Sequence, residues 1–510
     1  MRHLLGPSLV VVAVLSSLSV GCDTSSVDPE TRSSALSSGP TYLVSFSGGA
    51  IPSDAATLVG NAGGTITASY PNVGVVLAQS PSATFAAVLR ATGGIAAVGA
   101  VASTHSKIEL LSSSAGPSAP MTPPTKLTGD PLSFRQWDMD QIHAPLAHLV
   151  TTGKKSVLVG LVDSGVDITH PELAGVVNAA ASASCLGGIA DPSQSVWAND
   201  IIGHGTHTSG IIAAQKNGIG TVGVAPGVTL AMVKVAVDDV NDPNFGLVFP
   251  DAMVCGIEWG VAHGYDLLNA SLTVDPFTGP VDDIFCDNDP DRAAVITIIR
   301  GAINAAAKKK MTVVAAAGNF NADLANLPGS GPGVKCDVLP VSMPKVIGVS
   351  AVGYTQLLSF YSNYGKGAID VAGPGGDGNV PDPLVTDTTA SGQVLSSVPA
   401  GSIYYGLAAY WNGQVQDCSS GTCVTYAYLQ GTSQAAPHVT GVAALLISKF
   451  GKMQPDALAA RLRNTATPLP CPVGPYDPAA SGNPEFCKGP PNNNNFYGAG
   501  EVDALGAVLR

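Results

Sequence analysis

The sequence predicts an α/β protein: a parallel β-sheet with helices on both faces, preceded by a small α+β domain of ferredoxin-like layout. Three observations carry that prediction. Beyond residue 131, short β-branched apolar runs alternate with helical stretches, and strands that are apolar throughout are buried on both faces. Between residues 41 and 101 the order reads β-α-β-β-α-β. Charged residues are only 12% of the 510, alongside 59 glycines, which suits a tightly packed chain rather than a disordered one.

Taken in order, the chain opens with a targeting segment over residues 1–22. Met1-Arg2-His3 supplies a positive start and Leu9 to Leu18 a short apolar core, the layout of a secretory signal. It ends in Leu18-Ser19-Val20-Gly21-Cys22, which resembles the bacterial lipoprotein box and implies a lipid anchor on Cys22. Ser19 stands where that box usually carries an aliphatic residue, so simple secretion with signal removal is the alternative. Residues 23–39 are polar and Ser-rich, a flexible tether. The small domain spans 40–105, with strands at Thr41–Phe46, Thr65–Ser69, Val73–Ala78 and Ile95–Val101 and helices at Ser53–Asn61 and Ser82–Thr92. A linker over 106–130, Pro/Ser-rich from residue 111, invites proteolysis.

The large domain, 131–510, has strand candidates at Ser156–Val162, Thr229–Val235, Asp266–Leu272, Thr312–Ala317 and Lys345–Val352. Helices are expected over Asp251–Gly264, Asp291–Lys310 and Thr432–Lys449. Residues 376–428 are Gly/Pro/Ser-rich and weakly periodic, and read as a long surface insertion.

Composition bounds the partners. A formal net charge of −13 with no basic block argues against nucleic acid, and no apolar run reaches the length of a spanning helix. Nine cysteines less Cys22 leave an even eight, consistent with disulfides in an oxidising compartment. Cys418 with Cys423, and Cys471 with Cys487, are the first pairs expected; no paired C-x-x-C motif supports zinc.

In parallel sheets, ligands bind at the strands' carboxyl ends, so polar residues there carry the search for chemistry. Asp163 closes the strand ending at Val162; His204 sits in Gly203-His204-Gly205-Thr206-His207, leading into a helix at Ile211–Ala214. Ser433 stands at the start of a small-residue helix after Gly431, with Thr432 or Ser433 able to cap it. There, unpaired N–H groups and the positive helix end favour an anion. A serine oxygen activated by an imidazole, itself oriented by a carboxylate, is the constellation for nucleophilic hydrolysis. Singly, Asp163 reads equally as a turn cap, His204 as a core histidine and Gly-Asn after a strand as a turn.

Together the motifs Asp-Ser-Gly-Val-Asp-x-x-His-Pro-Glu-Leu, Gly-His-Gly-Thr-His-x-x-Gly and Gly-Thr-Ser-x-Ala-x-Pro-His resemble the subtilisin-like serine peptidases over roughly 131–505. The resemblance implies a subtilisin-like sheet, Asp163 as orienting carboxylate, His204 as general base and acid, and Ser433 as nucleophile. It implies Asn319 as oxyanion donor and structural roles for His207 and His438. It also places Ser271 and Leu272, with Ala316 and Gly318, along the substrate cleft and first specificity pocket. Gln434 departs from the family's usual Met without removing a reacting group. No cofactor is required for the chemistry, but Glu172 and Asn217 match contributors to a family calcium site. The 40–105 domain resembles an inhibitory propeptide, whose segment Val98 to Leu111 is expected to lie as an added strand beside Ser271-Leu272. The partners implied are polypeptide substrates and the chain's own propeptide, on an exported monomer. A binding protein on the same scaffold would tolerate loss of the four site residues, which are all present. An esterase of the α/β-hydrolase type needs Gly-x-Ser-x-Gly and histidine last in order, and has neither here.

Overall fold

The computed structural model describes residues 39–101, 107–108, 130–238, 246–274, 284–388, 390–410, 413–478 and 484–510. The signal segment with Cys22, nearly all of the tether and most of the 106–130 linker lie outside the described residues.

The N-terminal module runs β1 (Thr41–Phe46), α1 (Ala55–Asn61), β2 (Thr65–Tyr70), β3 (Val75–Gln79), α2 (Phe85–Arg90) and β4 (Ile95–Ala100). Its strands pair antiparallel in the order β2-β3-β1-β4. The two helices cover one face, where Val44, Val59, Val76, Phe85, Leu89 and Val98 form a core of their own. The other face, with Leu43, Tyr70, Val75 and Leu77, packs into the core of the large domain.

After the two-residue strand β5 (Lys107–Ile108) and helix α3 (Trp137–Gln141), the large domain builds a seven-stranded sheet. Its strands are β6 (Leu158–Asp163), β7 (Ala183–Ser184), β8 (Thr229–Lys234), β11 (Leu267–Ala270), β12 (Thr312–Ala316), β13 (Val346–Val352) and β14 (Val371–Pro374). The order is β14-β13-β12-β11-β6-β8-β7 and every pairing is parallel. Burial on both faces follows the period-2 rule along β12. Val313 and Ala315 face the core that holds helices α5 (Pro250–Ala262) and α6 (Pro290–Lys308). Val314 and Ala316 face helices α4 (His204–Ala213) and α8 (Thr432–Phe450). The chain leaves β6 for β7 and β8 on one side and later fills β11 to β14 on the other. The carboxyl ends of β6 and β11 therefore border a topological switch point, where α/β sheets bind ligands.

The stretch expected to be a surface insertion is structured instead. Within 376–428, β15 (Val394–Ser397), β16 (Gln414–Asp417) and β17 (Val424–Leu429) form an antiparallel sheet, with helix α7 (Ile403–Tyr410) between β15 and β16. Val394, Leu395, Val398, Tyr404, Tyr426 and Tyr428 are buried in it. Its apolar residues are too widely spaced among Gly and Ser to show a period, but β15 packs on α4 and β17 feeds directly into α8.

Among the described residues, four disulfides are formed. Cys418–Cys423 and Cys471–Cys487 are the expected local pairs, and Cys185–Cys255 and Cys286–Cys336 join distant segments. Among the described residues, no helix is long and apolar enough to cross a membrane.

Candidate active site

Asp163, the last residue of β6, is fully buried, and its Oδ1 lies 2.7 Å from His204 Nδ1. The same carboxylate accepts the Ser164 N–H at Oδ1 and the Thr208 hydroxyl at Oδ2. His204 does not precede a helix, as its glycine-rich surroundings suggest; it is the first residue of α4. Two glycines make that placement feasible. Gly203 adopts φ 93°, and a Cβ on Gly205 would lie 2.0 Å from the Gly165 carbonyl oxygen. The close approach brings the turn after Asp163 against the helix start.

A residue that the sequence reading passed over fixes this junction. Asp200 accepts hydrogen bonds from the Ser164 hydroxyl, the Gly203 and Thr206 N–H groups and the Thr206 hydroxyl, at 2.6–2.9 Å. It thereby caps α4 from the preceding loop, at the helix end that favours negative charge. Burial raises its carboxyl above the ordinary value, against those four donors. An Asp three residues before a Gly-His-Gly is a weak signal without coordinates.

Ser433 sits in the first turn of α8 and is 8% exposed. Gly431 is the N-cap, and the Thr432 side chain does not cap the helix. Its hydroxyl donates to Asn319 Oδ1 at 2.8 Å and accepts from Gly318 N–H, while the Thr432 N–H also donates to Asn319 Oδ1 at 2.9 Å. With the amide oxygen held twice, the Asn319 NH₂ is directed away from Thr432 as a donor. Ser433 Oγ donates to the Ser271 carbonyl at 2.9 Å, and His204 Nε2 is buried without a partner. Tyr404 of α7 lies edge-on to the His204 ring, with centroids 5.7 Å apart.

Ser271 and Leu272 follow β11, and Ala316 and Gly318 lie at the end of its parallel neighbour β12; all four are buried. A Cβ on Gly318, where φ is 98°, would lie 2.5 Å from Asn363 Nδ2. A separate short sheet holds β9 (Ala236–Asp238) and β10 (Gly246–Val248). The strand β5 pairs antiparallel with β10, Lys107 opposite Leu247 and Ile108 opposite Gly246. Of the expected added strand, Lys107 and Ile108 lie on β10, and residues 102–106 and 109–111 are outside the described residues. β10 is paired with β9 on its other side, so without β5 it would be the edge of a short ribbon, with backbone groups open to an incoming strand.

The rest of the N-terminal module rests on α5 and α6. Glu258 accepts the Asn72 and Val73 N–H groups and the Asn72 side-chain amide, at 2.7–3.2 Å. Asp291 pairs with Arg90 at 2.5 Å and accepts the Ala100 N–H at 3.0 Å. The Tyr70 hydroxyl donates to the Gly188 carbonyl, in the turn that Cys185–Cys255 ties to α5.

Glu172 and Asn217, the expected calcium contributors, are engaged with their own loop. Glu172 Oε1 accepts the Thr221 N–H and the Tyr426 hydroxyl, each at 2.9 Å, and burial pushes its carboxyl up to about 8. Asn217 Oδ1 accepts the Ile219 N–H. Among the described residues, no group of three or more His, Cys, Asp or Glu side chains is placed to hold a metal ion. Glu172 Oε2 is buried without a partner, and the charges of Asp130 and Asp417 raise the same carboxyl further.

The two further histidines are held in the interior. His207 Nε2 contacts the Ala427 carbonyl at 3.1 Å, and burial brings its pKa down to about 3. His438 spans Asp138 Oδ2 and the Gln434 carbonyl. Nearby, Glu501 accepts amide bonds from Gln141 and Gln356, and burial pushes its carboxyl from the ordinary 4.5 up to about 7. The folded chain therefore keeps a proton there that the unfolded chain releases above about 4.5. Stability drawn from this group falls as pH rises through that window and levels off above it. Glu501→Gln is expected to abolish that slope: its Tm, relative to wild type, should rise between pH 5 and pH 7 and then stay constant, as read by calorimetry.

The Asp163–His204 pair stands at the carboxyl end of β6, Ser433 Oγ is bonded to the Ser271 carbonyl just beyond β11, and Asn319 just beyond β12 holds Thr432. The sequence profile described as "Subtilase family" matches residues 154–500, well over half of the chain. The chain belongs to the subtilase family. This subtilase is 30% identical over 341 residues to fervidolysin of Fervidobacterium pennivorans, covering 66% of the chain and 41% of that protein. It is 29% identical over 333 residues to subtilisin E of Bacillus subtilis, covering 65% of the chain and 66% of that protein. The chain thus spans less than two thirds of the length of either relative. In fold it is similar to the crystal structure of fervidolysin, with TM-score 0.63 at 24% identity over 92% of this chain and 61% of the other. It is similar also to the epidermin leader peptide processing serine protease of Staphylococcus aureus, with TM-score 0.65 at 21% identity over 92% and 97%.

Proposed function

We propose that this subtilase is an exported serine endopeptidase, made as a zymogen whose 40–105 domain blocks the cleft until it is cut away. The observation that carries the reading is the 2.7 Å contact of His204 Nδ1 with buried Asp163, beside a partnerless Nε2 and a serine at the α8 start. Ser433 Oγ turns from the Ser271 carbonyl to His204 Nε2, gives up its proton there, and attacks the scissile carbonyl. The developing oxyanion takes hydrogen bonds from Asn319 Nδ2 and the Ser433 N–H. Asp163 stabilises the imidazolium, which protonates the leaving amine; a water molecule then releases the acyl group by the reverse transfer.

An extended polypeptide fits the edge that β10 offers, as Lys107–Ile108 does here. That pairing, with the contacts of Glu258 and Asp291, supports inhibition by the chain's own N-terminal module. The signal segment and eight disulfide-paired cysteines support export, and Cys22 is the proposed point of lipid anchoring for a monomeric enzyme. A fluorophosphonate probe tests the reading: the processed wild type should be labelled at Ser433, and an unlabelled chain would instead be a binding protein on this scaffold.

A further inference from the structure

The carbonyl of the proposed nucleophile is held in an unusual way. In an α-helix the C=O of residue 433 is served by the N–H of residue 437, and here residue 437 is proline, inside α8. The N–H is missing, and the Ser433 carbonyl instead accepts from Ser271 Oγ at 2.8 Å. That hydroxyl is itself backed: Asn269 Nδ2 donates to Ser271 Oγ at 2.9 Å, and the Thr440 hydroxyl donates to Asn269 Oδ1 at 2.8 Å. Ser271, Asn269 and Thr440 are fully buried. The chain of bonds runs from β11 to α8 at residue 433 and again at residue 440, two turns along the same helix.

We infer that the Ser271 hydroxyl, supported by Asn269 and Thr440, is a positioning group for Ser433, acting through the carbonyl that Pro437 leaves open. Fixing that carbonyl fixes the peptide plane after Ser433. The nucleophile's side chain can then rotate from the Ser271 carbonyl to His204 without moving the helix start. Ser271 thus acts twice, its backbone along the cleft and its side chain beneath the nucleophile. Pro437 is part of the same device, because an N–H at 437 would compete for the same oxygen.

The inference rests on Ser433 being the nucleophile, and the test separates the two. Processed wild type, Ser271→Ala, Pro437→Ala and the double variant are compared for kcat, KM and the rate of fluorophosphonate labelling, with Tm recorded. Ser271→Ala leaves a buried carbonyl without a partner and loosens the nucleophile, so kcat and labelling are expected to fall roughly tenfold with KM unchanged. In the Pro437→Ala background the restored N–H takes the carbonyl, and the same loss should shrink to roughly threefold or less, the coupling expected of groups sharing one partner. Ser271→Thr, which keeps the hydroxyl, should label faster than Ser271→Ala, and this rescue stands in should the Pro437 variant fail to fold. Wild-type labelling by Ser271→Ala, or an equal loss in both backgrounds, overturns the clamp. Continued turnover by Ser433→Ala overturns the nucleophile reading instead.

Discussion

Ser433→Ala is expected to lower kcat by about a millionfold, the size characteristic of losing this family's nucleophile, and to leave the fold intact. The substitution removes one oxygen from a residue that is 8% exposed, and the helix keeps its cap at Gly431 and its Ser271 contact to the residue 433 carbonyl. Only the Oγ bond to the Ser271 carbonyl is lost, one exchange partner among many. His204→Ala should fall to a comparable level, and the double variant no further, because base and nucleophile act as one unit. Calorimetry alongside peptide turnover checks both halves; appreciable turnover by the purified variant would reassign the nucleophile.

Asn319→Ala is expected to reduce kcat roughly a hundred- to a thousand-fold with little change in KM, the size characteristic of one oxyanion donor in this family. The geometry explains the split. Asn319 Oδ1 is held by the Thr432 N–H and hydroxyl, so Nδ2 is preset before substrate arrives and gains most once charge develops on the carbonyl oxygen. A variant whose KM rises while kcat holds would place Asn319 in ground-state binding.

The sheet and the site were legible in the sequence to different depths. The strands of the parallel sheet announce themselves because burial on both faces leaves them apolar throughout, as at Thr312–Ala316. Asp163, His204 and Ser433 were legible because each needs glycine or a helix start beside it, and those neighbours leave a pattern in the letters. Asp200 was not, since its four donors come from residues 164 to 206 and converge only in space. Nor was the Ser271–Asn269–Thr440 chain, which spans 171 residues at one contact. The 376–428 segment misled for another reason: its strands pair locally, and Leu395, Val424, Tyr426 and Tyr428 are buried against one another and distant Leu132, which no local period records. Glu172 Oε1 is taken up by Thr221 and Tyr426 and Asn217 Oδ1 by Ile219, contacts that the family match alone does not reveal.

In the proposed zymogen one chain is both protease and first substrate, and intact mass after identical oxidative expression tests that directly. Wild type should lose a fixed N-terminal segment that includes residues 40–105, while the Ser433→Ala chain, whose Lys107–Ile108 strand still lies on β10, should retain it. If both chains keep the 40–105 domain and the wild type is nonetheless active, that domain is a permanent module and the zymogen reading is contradicted.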